Sequence, residues 1–93
     1  MIKISIIQYI NLDDAMDHFG TNFHDYNFCQ EAENESYVPF YLDDDAYQGL
    51  KEEIEWEEGK CSFRLARLRN DLDLMLYLRA MGFRDTILVY VSW

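Results

Sequence analysis

Between Asp13 and Glu58 the chain carries 15 carboxylates and a single base, Lys51. No fold can bury such a run, because an ionised carboxylate without a partner is strongly disfavoured away from water. These side chains must form surface, and their mutual repulsion works against the compact state. The rest of the chain has the opposite balance: Gly59 to Trp93 holds six bases and three acids, Lys3 stands near the start, and the net charge is −10. Hydrophobic residues nevertheless make up 49% of the chain and aromatic residues 16%, too much for a disordered acidic tail. The expectation is a folded protein with a strongly negative skin. Its 93 residues are read as a single domain, near the lower size limit for independent folding.

The first ten residues are apolar but broken by Lys3, Ser5 and Gln8, and no small-residue cleavage site follows, so no secretory leader is expected. No run approaches the roughly 18 apolar residues of a membrane helix. A negative surface is also repelled by anionic lipid and by nucleic acid. Cys29 and Cys61 lack CxxC spacing and read as reduced thiols in a cytoplasmic protein, with a disulfide between them as the alternative.

Ile2, Ile4, Ile6 and Ile10 alternate with Lys3, Ser5, Ile7 and Tyr9, which predicts a strand over 2–10, central because both faces are apolar. Asn11 is the expected N-cap of a helix over 12–19, and Gly20 ends it. Tyr26 and Phe28 alternate with Asp25 and Asn27, and 37–42 follows a polar stretch, which suggests a hairpin; Pro39 puts 37–42 at an edge. Asp44 or Asp45 should cap a helix whose inner face is Tyr47, Leu50 and Ile54 and whose stop is Gly59. Ser62 can cap a last helix to about Met81, with Gly82 as its stop and Leu65, Leu68, Leu72, Met75 and Leu76 as its core stripe. Ile87, Val89, Val91 and Trp93 of a final strand face one way, Leu88 and Tyr90 the other. The predicted class is α+β or mixed α/β: about four strands and two to three helices in the order β-α-β-β-α-α-β.

Motifs for chemistry are sparse. Aligning Gly49 with the sixth position of an EF-hand loop puts Asp44 at one and Glu55 at twelve, but Ala46 and Gln48 then fill positions that require oxygen ligands. His18 and His24 with Cys29 or Asp25 match no metal-ligand spacing, and a Cys29–His24 nucleophile pair rests on sequence proximity alone. No GxGxxG, P-loop, GxSxG or HExxH is present. No cofactor or metal is expected, and an enzyme is disfavoured. Direct nucleic-acid binding needs a basic face, which Arg64, Arg67, Arg69 and Arg79 do not supply; pairing on an exposed helix explains them better.

The carboxylates themselves are the candidate site. Asp13 and Asp17 are i, i+4 on a helix, about 6 Å apart along its axis. Glu31, Glu33 and Glu35 would share one side of an extended segment at about 6.7 Å intervals. Asp43, Asp44 and Asp45 precede a helix whose outer surface carries Glu52, Glu53, Glu55, Glu57 and Glu58. One DNA strand offers a phosphate every ~3.4 Å, so carboxylates at about twice that spacing approximate half its line charge. With one base among 15 acids, i, i+4 pairing cannot offset the repulsion within the block, and the remaining bases lie elsewhere in the sequence. With Tyr47, Leu50 and Ile54 inward, helical geometry turns Trp56 nearly opposite, a binding anchor if it is exposed; the alternative is that the helix end bends and packs it inward.

Size, the Asp13–Glu58 block and the lack of catalytic motifs together resemble the small acidic nucleic-acid mimics that phages and mobile elements direct against host defences, the antirestriction and anti-CRISPR kind. The resemblance is one of type and implies a stoichiometric DNA-mimic inhibitor of a basic nucleic-acid-binding protein. That partner would be a nuclease, restriction enzyme or CRISPR effector. The alternative is an acidic interaction or immunity-type subunit that binds one specific protein by shape. Phe63, Leu74, Leu78 and Met81 leave the last helix apolar on a second side, which suggests a homodimer; cover by the sheet and first helix is the alternative.

Overall fold

The computed structural model describes residues 8–30, 35–60 and 63–91. It is α+β, as expected. Strand β1 (Tyr9–Asn11) leads into helix α1 (Leu12–Phe19) and a 3₁₀ turn (Phe23–Asp25). Helix α2 (Asn27–Gln30), strand β2 (Tyr37–Phe40), helices α3 (Asp44–Glu58) and α4 (Phe63–Ala80), and strand β3 (Ile87–Tyr90) follow. The described strands form one sheet in the order β1-β3-β2. β1 runs parallel to β3 with Ile10 opposite Val89. β2 runs antiparallel to β3 with Val38 opposite Val89.

Local chemistry sets most boundaries. The Asn11 side chain accepts the Asp13 N–H at 2.9 Å and opens α1. Gly20 closes it at φ 68°, a left-handed conformation that a side chain would strain. Asp13 and Asp14 occupy the first turn, where the helix dipole favours negative charge. Asp43, rather than Asp44 or Asp45, caps α3 and accepts the Ala46 N–H at 2.8 Å. Asp44 and Asp45 thereby become the first helical turn. Gly82 follows α4 at φ 106°. The expected cap Ser62 and strand residues 2–7 lie outside the described residues, as do Cys61 and Trp93.

Three expectations need correction. Tyr26 and Phe28 do not form a strand. Asp71 of α4 points its carboxylate at this segment and accepts the N–H groups of Asn27 (2.9 Å) and Phe28 (3.1 Å). Asn70 Nδ2 donates to the Asp25 carbonyl at 2.9 Å. An ionised acceptor across two successive amides favours a helix start over a ladder. The described sheet accordingly has three strands instead of four, and β3 rather than β1 is its centre. The edge position of β2, where Pro39 has no N–H to donate to a ladder, is as expected.

The third correction concerns α4. Leu68, Leu74, Met75 and Leu78 are buried, whereas Leu65 and Leu72 are half-buried and Leu76 is exposed. Two overlapping apolar stripes compete on this helix, and Leu74, Met75 and Leu78 join the core with Leu12, Val38, Ile87 and Val89. The proposed dimer set is thereby divided: Leu74 and Leu78 belong to the core, while Phe63 (92% exposed) and Met81 (60% exposed) remain at opposite ends of the helix. The 18 residues of α4 separate those ends by about 27 Å, so these four residues form no continuous patch.

The core lies between the inner sheet face and the helices. Leu12, Tyr26, Val38, Phe40, Leu42, Leu74, Leu78, Ile87 and Val89 form its centre. Apolar burial of this kind contributes about 25 cal/mol per Å², and it holds the charged skin together. Among the described residues no helix is long and apolar enough to cross a membrane.

Candidate functional site

Helices α3 and α4 form an antiparallel pair, and the arginines of α4 fold back onto the acids of α3. Arg64 reaches Glu53 at 2.9 Å and Glu57 at 3.3 Å, and Arg69 reaches Glu58 at 3.5 Å. At the other end Arg79, in the last turn of α4, meets Asp44, in the first turn of α3, at 2.9 Å. Both helix dipoles favour that pair. The bases are therefore not remote from the acidic block, as their sequence positions suggested: the hairpin brings them to its flank. Glu57 is also not on the outer surface. It is 7% exposed and accepts from Arg64 Nη1. The helix stripe through Ile54 and Leu50 rotates it inward, and a buried carboxylate needs such a partner.

The outward stripe of α3 is different. Asp45, Glu52 and Glu55 are exposed and make no ion pair among the described residues. Helical geometry places Asp45 and Glu52 on the side nearly opposite Ile54, with Glu55 about 100° round the helix from it. Trp56 shares that side and is 69% exposed, with Lys60 Nζ 4.6 Å from its ring centroid. The inward-packing alternative for Trp56 does not occur. A second acidic patch, Asp13, Asp14 and Asp17 on α1, is likewise exposed and without ion pairs among the described residues. Asp43 is exposed but engaged as a cap, and Glu35 is exposed at the start of the β2 segment. Glu31 and Glu33 lie outside the described residues. The predicted array thus becomes two open patches and one neutralised seam.

Nucleophilic chemistry finds no support in the geometry of Cys29. The residue is fully buried, and burial, reinforced by the Asp71 charge, pushes its thiol up to about 12. Such a thiol stays protonated and inert at neutral pH. Tyr26 is also raised by burial, with an opposing contribution from its 2.8 Å hydrogen bond to Thr21. Among the described residues no three His, Cys, Asp or Glu side chains are grouped to hold a metal ion. The segment tested as a calcium loop is continuous helix from Asp44.

Sequence reasoning missed the outer face of the sheet. Each strand contributes a tyrosine to it: Tyr9, Tyr37 and Tyr90 are all exposed, with ring centroids 5.7 Å (Tyr9–Tyr37) and 5.4 Å (Tyr37–Tyr90) apart. The signal was available in the period-two pattern, where each tyrosine alternates with a buried or half-buried Ile10, Val38 or Val89. No protein-family model, curated protein or solved structure matches the chain.

Proposed function

We propose that this protein is a stoichiometric inhibitor that presents a nucleic-acid-like surface to the basic groove of a nucleic-acid-handling protein, a nuclease, restriction enzyme or CRISPR effector. The observation that carries this reading is the segregation of charge on α3. Arginines satisfy the acids of the inner seam, Glu53, Glu57 and Glu58, and leave Asp45, Glu52 and Glu55 together on the outer stripe. Asp13 and Asp17 add a second exposed negative patch on α1. A groove built to hold phosphates would be steered toward such carboxylates and would lose that attraction as salt rises.

A second reading is favoured by Trp56. An exposed indole beside carboxylates is the composition of a specific protein–protein anchor, as in an immunity-type subunit. Salt separates the two. The immobilised chain is used to capture partners from host lysate across a salt gradient, beside an Asp45→Lys, Glu52→Lys, Glu55→Lys variant. Mimicry predicts a basic nucleic-acid enzyme that elutes as salt rises and binds the variant about 10- to 100-fold more weakly. Undiminished affinity of that variant refutes mimicry. A salt-resistant partner lost on Trp56→Ala supports the second reading.

A further inference from the structure

Where β1, the first turn of α1 and the end of α4 meet, the surface forms a half-open cavity of about 290 Å³. Rings of Tyr9, Tyr77 and Phe83 and the Met81 thioether line it. Asp14 is the one charged side chain in its lining among the described residues, and it makes no ion pair there. The two bases that adjoin its lining in sequence, Arg79 and Arg84, both line a separate hollow with Asp44 and Tyr47, where Arg79 pairs with Asp44 and Arg84 Nη1 donates to the Arg79 carbonyl at 2.6 Å.

The chemistry selects a cation. Aromatic faces attract positive charge through their quadrupole, and a carboxylate at the same cavity adds to the attraction. The start of α1 contributes a partial positive charge of about one half, but Asp13, Asp14 and Asp17 outweigh it. A phosphate or carboxylate would be repelled. At about 290 Å³ the cavity lies at the lower end of ligand-site volumes, which run from about 300 Å³ upward, and has room for a single side chain.

We propose that the cavity receives the guanidinium or ammonium group of an arginine or lysine side chain presented by the basic partner. The proposal deepens the reading above by naming a group the partner brings, and rests on it only for the partner's basic character. Cation–π contact with the rings and an ion pair with Asp14 would hold that group, beside the tyrosine face that Tyr9 shares.

The test is an NMR titration of the full chain with N-acetyl-arginine amide, and with N-acetyl-citrulline amide as its uncharged isostere. The expected result is saturable shifts at Tyr9, Asp14, Tyr77 and Phe83 with the arginine compound only. Asp14→Asn and Tyr9→Leu should each weaken binding about three- to fivefold. Both side chains are exposed, so the variants should fold, which their spectra verify. Equal response to the citrulline compound, or unchanged affinity in both variants, overturns the proposal. The Asp45, Glu52, Glu55 reversal should leave probe binding intact, so failure of mimicry and failure of this site are told apart.

Discussion

Replacing Asp71 with alanine should remove the device that makes residues 27–30 a helix. Asp71 is 5% exposed, and its two oxygens accept separate N–H groups from Asn27 and Phe28. Bonds to a charged acceptor contribute about 1.5–3 kcal/mol each, so the gross loss is about 3–6 kcal/mol. Removing a buried carboxylate also relieves its desolvation, which offsets part of that loss. A net cost of about 3 kcal/mol follows, against a total stability of about 5–14 kcal/mol for a chain this size. The melting temperature should fall by about 12–24 °C. Asparagine can keep one acceptor but turns an amide N–H₂ toward the other donor, so Asp71→Asn should cost about 2 kcal/mol. Urea unfolding followed by circular dichroism measures both losses, and hydrogen exchange reports the Asn27 and Phe28 amides. If the alanine variant loses less than about 1 kcal/mol and both amides stay protected, the reasoning is wrong. Packing of Tyr26 and Phe28 would then hold the segment without the carboxylate.

Other outcomes follow from the same contacts. Cys29 is raised from 9.0 to about 12 and Tyr26 is raised too, so the folded state holds both protons more tightly than the unfolded chain. Their contribution to stability is complete below about pH 9 and falls as pH rises toward the folded values, so the urea midpoint should drop between about pH 9 and about pH 12. In a Cys61→Ser background, alkylation of Cys29 at about pH 8 should proceed only at the rate of unfolding. Arg64→Met should strand the buried Glu57 carboxylate and cost about 1–2 kcal/mol, reduced by the partial exposure of Arg64. Adding Glu57→Gln to Arg64→Met should restore most of that loss in a double-mutant cycle.

Elements governed by neighbouring residues were legible in the sequence. Asn11 and Gly20 bound α1, Gly82 follows α4, and Pro39 marks an edge strand, because capping and φ preferences act over one to four residues. The inner face of α3 followed from helical period alone, whereas the choice between an exposed and an inward-packed Trp56 was open in the sequence and was made only by the structure. The α3 cap was misplaced by one or two residues because three consecutive aspartates are chemically equivalent until the backbone chooses one. Tyr26 and Phe28 carried a strand pattern, yet the carboxylate that reshaped them lies 43 residues or more away.

Charge divides in the same way. Composition by itself required an acidic surface, because 15 carboxylates in one block cannot be buried. Which carboxylates remain open was decided only by the α3–α4 hairpin. It rotates Glu57 inward and sets Arg64, Arg69 and Arg79 on one flank, while Asp45, Glu52 and Glu55 stay outside. The physical reason is range. Propensity and periodicity are properties of the local chain, whereas an ion pair or a cavity needs two elements brought together by burial of their apolar faces.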